Sequence, residues 1–141
     1  MTCLVDQILP EIGVATVKLL RRAGYEVDFS EAQTCCGQPF FNSGFRDQTV
    51  SLARRMIEIF EDYDAVVLPS GSCTAMVVKE YVHLFEDTAD WKARAQNLGD
   101  RTRELSQLLV EADWSPESTS ELMVVTYHDF CHANRMLGIR S

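Results

Sequence analysis

The fold is decided by residues 65–73, which read Ala65-Val66-Val67-Leu68-Pro69-Ser70-Gly71-Ser72-Cys73. The first four residues form a continuous apolar run that ends at a proline. Such a run is typical of a strand buried on both faces of a parallel sheet. The next five residues predict a strand-to-helix turn, with a helix from about Cys73 to Phe85. A buried strand that leads through a turn into a helix indicates an α/β domain.

Upstream of this stretch, the sequence predicts two helices and one strand. A helix is expected from Pro10 to Ala23, since proline suits a first turn and Gly24 follows as a stop. Residues 25–29 alternate apolar and polar as a strand does, and a second helix is expected from Arg46 to Glu61. Residues 32–44 carry no period and predict a loop. The apolar stripes expected to face the core are Ile12, Ala15, Leu19 and Ala23 in the first helix, and Val50, Ala53, Ile57 and Phe60 in the second.

Downstream, the segment from Thr88 to Ala112 is predicted to be mostly helical. Residues 122–127 (Leu-Met-Val-Val-Thr-Tyr) predict another buried strand, followed by a loop and a short helix from Ala133. The buried face of the long helical segment is expected to carry Leu98, Thr102, Leu105 and Leu109. Strands that alternate with helices predict an α/β fold with a mainly parallel sheet flanked by helices.

Composition and charge exclude several classes of function. The 141 residues are 46% hydrophobic and 24% charged, which suits one globular domain with a core. The net charge of −8 argues against nucleic acid or an anionic membrane as partner. No apolar stretch is long enough for a transmembrane helix, and the first residues lack the pattern of a secretory signal. We therefore expect a cytoplasmic protein with free thiols.

The five cysteines are the residues most expected to carry function. Their odd number fits poorly with a disulfide framework. Cys73 and Cys131 follow predicted strands, and Cys35-Cys36 lies in a loop. Ligands of open α/β sheets collect outside the carboxyl ends of the strands, so these cysteines are expected to converge there. Cys3, before the first helix, completes a set of four thiolates with Cys35, Cys36 and Cys73, which is the number that an iron–sulfur cluster takes.

Spacing and sequence context strengthen this hypothesis. Thirty-one residues separate Cys3 from Cys35, and thirty-six separate Cys36 from Cys73. Gly37 after the cysteine pair can adopt a positive φ and lets backbone amides approach a bulky cofactor. The characteristic phrases are Thr2-Cys3-Leu4-Val5-Asp6, Gln33-Thr34-Cys35-Cys36-Gly37-Gln38-Pro39, Asn42-Ser43-Gly44, Pro69-Ser70-Gly71-Ser72-Cys73 and His128-Asp129-Phe130-Cys131-His132.

In these phrases the chain resembles the cysteine-rich CCG domain family, and most of all its lactate utilisation A branch. The resemblance implies a Rossmann-like half of a protein with two CCG domains. It implies a first CCG domain over residues 1–120, with residues 121–141 beginning a second, truncated one. It also implies an electron-transfer subunit of an oxidoreductase system that converts L-lactate, or a related 2-hydroxy acid, to pyruvate together with partner subunits. The cofactor implied is an iron–sulfur cluster, of 4Fe–4S type, on Cys3, Cys35, Cys36 and Cys73, with Gly37 beside it. Met76 stands where some family members carry a further cysteine.

Three alternatives remain open at this point. Cys131 with His128 and His132 offers donors for a second metal site, zinc included. A second alternative is a zinc-binding or metal-free interaction domain that keeps the fold without electron transfer. A thiol redox protein that uses Cys35 and Cys36 is another reading. Self-association through an exposed sheet edge is also expected.

Overall fold

The computed structural model describes residues 7–115, 124, 126 and 130–139. Within them the chain forms seven α-helices, two strands and two π-helical turns, so the predicted α/β class is confirmed. The helices are α1 (Pro10–Arg22), α2 (Gln38–Asn42), α3 (Arg46–Phe60), α4 (Gly71–Ala75), α5 (Tyr81–Leu84), α6 (Ala89–Arg101) and α7 (Leu105–Glu111); the strands are β1 (Val66–Leu68) and β2 (Thr102–Glu104); and the π-helical turns are Met76–Glu80 and His132–Met136.

The sheet has two described strands, which run parallel. Val66 lies opposite Thr102 and Leu68 lies opposite Glu104 in the register. The chain crosses from β1 to β2 through α4, the first π-helical turn, α5 and α6. A crossover of this kind is what parallel pairing requires, because a tight turn cannot return the chain in the same direction. The predicted strand at 66–68 and the helices at 10–23 and 46–61 are confirmed.

The core lies between β1, α3 and the helices of the crossover. α3 contributes the apolar face expected from its sequence, with Ala53, Ile57 and Phe60 buried and Val50 partly so. The described residues packed into the core with less than one-tenth of their surface exposed include Met56, Leu68, Met76, Tyr81, Phe85, Ala95 and Leu98. Cys36 belongs to this cluster with 1% exposure, so the core and the cysteine loop are continuous.

Four predicted elements differ in the structure. Residues 25–29 form no strand: among the described residues no strand pairs with them, and Asp28 accepts a hydrogen bond from Tyr63 Oη at 2.5 Å. The helical segment from Thr88 to Ala112 is interrupted by β2. Its Thr102 is buried as expected, but as the first residue of a strand, with its hydroxyl donating to the carbonyl of Leu98 at 2.7 Å. The loop at 32–44 contains the short helix α2, and the helix after β1 begins at Gly71 rather than Cys73.

Helix α1 stands away from the sheet. Its buried residues are Thr16 and Leu20, one position along from the predicted stripe, and Ile12 remains 39% exposed. Between α1, residues 25–29 and β1 lies a cavity of about 780 Å³ with mostly apolar walls. The predicted strand at 122–127 falls almost entirely outside the described residues.

Candidate metal-binding site

The Cys35-Cys36-Gly37 turn is shaped by the backbone conformation of its glycine. Gly37 has φ of +87° and precedes the first turn of α2, where Pro39 occupies an early position that needs no amide proton. The Gly37 amide donates to Cys35 Sγ at 3.4 Å, and the Gln38 amide donates to Cys36 Sγ. Two successive amides therefore face two successive sulfurs, an arrangement that stabilises negative charge on sulfur.

Gly37→Ala is expected to destabilise the protein by about 1–2 kcal/mol, because an L-residue with a side chain is strained at positive φ. The added Cβ would also lie 3.4 Å from Thr49 Cγ2. Gly44→Ala is the matched control, since Gly44 has φ of +80° but no atom within 4 Å of the added Cβ. Urea denaturation should show similar losses of stability for both variants, and only Gly37→Ala should lower metal binding. Equal metal binding by the two variants would contradict a role for this turn at the site.

The second part of the site, called the Cys73 arm here, is formed by residues 70–74 at the start of α4. The Cys35-Cys36-Gly37 turn is called the Cys36 arm. Ser70 and Ser72 both donate hydrogen bonds to the Cys73 sulfur, and the hydroxyl of Thr74 donates to the carbonyl of Ser70 at 2.8 Å. These hydroxyls follow β1 directly, so the strand-to-helix turn read in the sequence places Cys73 at the carboxyl end of the sheet. The Cys73 side chain is partly buried and packs against the core that contains Cys36.

The thiols of Cys36 and Cys73 interact. The pKa of Cys73 is lowered, chiefly through its interaction with the Cys36 thiol, with the two serine hydroxyls acting in the same direction and burial opposing them. The pKa of Cys36 is raised, first through its interaction with the Cys73 thiol and second because it is buried. Both shifts favour a thiolate on Cys73, and a thiolate is the form that binds soft metals.

Tyr81 forms the floor beneath the cysteine loop. It is fully buried, and its hydroxyl donates to the carbonyl of Cys36 at 2.8 Å. Burial raises the pKa of Tyr81, and the nearby charge of Cys36, Cys35 and Cys73 adds to this effect. The tyrosine thus remains a neutral hydrogen-bond donor. It fixes the backbone of Cys36 to the crossover helices, 45 residues along the chain.

A third segment, residues 130–139, contacts both arms. The ring of Phe130 lies directly over Gly71, and the second π-helical turn packs against α4. The Gln38 side chain lies 3.3 Å from His132 Nε2. Cys131 itself is exposed.

Folding thus brings part of the predicted set together. The thiols of Cys35, Cys36 and Cys73 interact, whereas Cys3 and His128 lie outside the described residues. Cys131 and His132 are described but form no metal site with them: within residues 7–115, 124, 126 and 130–139, no three histidine, cysteine or acidic side chains are arranged to hold a metal ion. Met76 is buried in the core with 2% exposure, where its thioether packs as an apolar group.

The chemistry of the donor set fits an iron–sulfur cluster. Such clusters are held by cysteine thiolates and tuned by hydrogen bonds to sulfur, and the site offers both. Thr34 Oγ1, next to Cys35, is shielded from solvent and has no hydrogen-bond partner among the described residues. A buried hydroxyl in this position is a spare donor for an anionic group.

Three features of the site were not predicted from the sequence. Nothing in the sequence indicates that Tyr81 belongs to the site, because an aromatic residue in a helix is most often a core residue. The roles of Gln38 and of the Ser70 and Ser72 hydroxyls were missed too. The position of both serines in the turn just before Cys73 is a signal that indicates donors to that sulfur.

Comparison with known proteins gives the family. The cysteine-rich (CCG) domain matches residues 1–78. The chain is 46% identical over 141 residues to "Lactate utilization protein A" of Geobacillus kaustophilus and of Bacillus subtilis, covering 99% of this chain and 59% of each relative. It is 48% identical over 138 residues to the protein of the same name from Macrococcus caseolyticus, covering 97% of this chain and 56% of that relative. The chain therefore spans little more than half the length of these relatives.

No solved structure matches the chain. No helix in the described part of the chain is long and apolar enough to cross a membrane. The match to the CCG domain covers more than half of the residues and includes Cys3, Cys35, Cys36 and Cys73. The chain belongs to the cysteine-rich (CCG) domain family.

Proposed function

We propose that this chain carries the first cluster site of an iron–sulfur electron-transfer protein in a system that oxidises L-lactate or a related 2-hydroxy acid. The observation that carries the proposal is the meeting of cysteines from two separate loops: Cys73, from the start of α4, packs against the core cluster that contains Cys36 of the CCG turn. The relatives are named lactate utilization protein A, and this name supports the metabolic context.

In this proposal Cys35, Cys36 and Cys73 hold a 4Fe–4S cluster, with Cys3 as the fourth ligand. A bound cluster supplies reversible one-electron transfer. The chain's own residues lower the cost of placing its charge in the protein: the Gly37 and Gln38 amides face sulfur, and the Tyr81 hydroxyl fixes the Cys36 backbone. Burial and the number of these donors are what set the potential of such a site.

The wider organisation is part of the same proposal. Residues 1–120 are the first CCG domain, and residues 121–141, with Cys131 and the two histidines of its motif, begin a second one. The protein works in the cytoplasm with other protein subunits that deliver and accept electrons. Its charge of −8 suits partners with a complementary basic surface.

Anaerobic purification followed by iron and sulfide analysis tests the proposal. We expect iron and acid-labile sulfide in equal amounts, and a paramagnetic signal after reduction. A protein that contains neither iron nor sulfide after anaerobic reconstitution would disprove it. Zinc without sulfide would instead support a structural metal-binding domain.

The interaction of the Cys36 and Cys73 thiols also favours a second candidate function, thiol–disulfide exchange. One thiolate would attack a partner disulfide and release one partner thiol. The other cysteine would then resolve the mixed disulfide, leaving a Cys36–Cys73 disulfide and a fully reduced partner. Reduction of a disulfide substrate by metal-free protein, abolished in Cys73→Ser, would support this function over electron transfer.

A further inference from the structure

The segment formed by residues 130–139, called the strap here, lies across both arms of the cysteine site. Its π-helical turn His132–Met136 packs on α4, which carries Cys73. The His132 ring of the strap lies within hydrogen-bond distance of Gln38, which follows the CCG turn. The strap therefore contacts one residue near Cys36 and one near Cys73.

The contact with the Cys73 arm depends on the absence of a Cβ atom at Gly71. A Cβ on Gly71 would lie 2.3 Å from Phe130 Cε2, 2.7 Å from Phe130 Cζ and 3.2 Å from Ala133 Cβ. These distances are far below van der Waals contact, so only glycine lets the Phe130 ring and α4 pack this closely. Gly71 is buried, and it precedes Cys73 by two residues. The packing of the strap thus fixes the turn from which Cys73 projects.

The contact with the Cys36 arm is a hydrogen bond. An amide nitrogen of glutamine can only donate, so Gln38 Nε2 donates to His132 Nε2 at 3.3 Å. Gln38 is the first residue of α2 and directly follows the Cys35-Cys36-Gly37 turn. His132 therefore contacts the residue at which this turn ends.

We propose that Phe130 and His132 are positioning residues that hold the two cysteine arms at the spacing required to bind a metal. In this role the two side chains act through Gly71 and Gln38 rather than as metal ligands. This inference rests on the proposed function, but the spacing of the thiols can be tested with any soft metal.

Cadmium binding to the metal-free chain measures this spacing without any cluster. Cadmium binds thiolates strongly, and its thiolate absorption band reports the sulfurs in contact with it. Gly71→Ala is expected to weaken cadmium binding about tenfold or more, the usual effect of disturbing residues that support metal ligands. Phe130→Ala should weaken cadmium binding as well, because it removes the ring that holds the Cys73 arm. Phe130→Leu, which keeps an apolar side chain over Gly71, should retain part of the affinity.

Gly99→Ala is the matched control. Gly99 is also a buried helical glycine, but its added Cβ would lie 3.5 Å from Val78, an ordinary contact. It should leave cadmium affinity unchanged. Unchanged affinity in Gly71→Ala or in Phe130→Ala would overturn the proposal.

The histidine contact gives a second test for the case in which Gly71→Ala does not fold. His132→Leu should weaken cadmium binding, and His132→Asn, which retains a side-chain acceptor, should restore part of it. His83→Leu, which removes an exposed histidine paired with Glu86, is the control. If His132→Leu lowers thermal stability but leaves cadmium affinity intact, the role of the strap is structural only. Failure to assemble an iron–sulfur cluster would refute the proposed function and leave these cadmium results standing.

Discussion

The Cys36→Ser variant is expected to lose essentially all of its iron and sulfide. Cys36 lies in the core with 1% exposure and interacts with the Cys73 thiol, so no solvent-exposed residue can take its place. A serine hydroxyl is a hard and weakly acidic donor, which is a poor match for iron in a sulfide cage. Iron and sulfide analysis after anaerobic reconstitution measures the effect.

Two companion variants separate loss of the ligand from loss of the fold. Cys36→Ala keeps an apolar side chain in the core, and we expect it to lose the cluster as completely as Cys36→Ser while remaining folded. Cys131→Ser removes an exposed thiol and should retain the iron of the first site. Normal iron content in Cys36→Ala would show that Cys36 is only a core residue.

The Tyr81→Phe variant is expected to lower the free energy of unfolding by about 1–3 kcal/mol. Its hydroxyl donates to the Cys36 carbonyl at 2.8 Å, and Tyr81 is fully buried. Phenylalanine fills nearly the same volume, so the change removes one donor and leaves a carbonyl without its partner in the core. Urea denaturation measures the stability, and cluster retention at elevated temperature should fall in parallel because the CCG turn loses its attachment.

Tyr63→Phe provides the comparison. The Tyr63 hydroxyl also donates a short hydrogen bond, to Asp28, but the pair is exposed to solvent. Because water can replace either partner of this pair, we expect Tyr63→Phe to destabilise the protein much less than Tyr81→Phe. Equal destabilisation by the two substitutions would mean that the Tyr81 hydroxyl contributes no more than a surface contact.

The central βα unit could be read from the sequence because its signal is local. A continuous apolar run such as 66–68 is satisfied only by burial on both sides, and the small polar residues after it leave the chain few conformations other than a turn. The rule that ligands collect at the carboxyl ends of parallel strands then led to the meeting of Cys36 and Cys73. No comparable rule indicates which hydroxyls and amides surround the sulfurs.

The elements that were missed depend on partners distant in sequence. Alternation in residues 25–29 shows which side chains would share a face, but not whether another strand lies alongside. β2 has only three residues, and Thr102 continues the helical spacing from Leu98, so nothing local distinguishes it from helix. Tyr81 gains its role from a carbonyl 45 residues away. Such pairings are fixed by tertiary packing rather than by local propensity.

The close approach of Phe130 to Gly71 has a consequence for modularity. Phe130 and the π-helical turn His132–Met136, which we propose to belong to a second cysteine motif, are packed against the helix that bears Cys73. The two motifs therefore cannot be treated as independent structural modules. A fragment cut near residue 120 would leave the Gly71 face uncovered, and substitutions that suit one motif are constrained by the other. A chimera that exchanges one motif between relatives would have to exchange the residues at both Gly71 and Phe130.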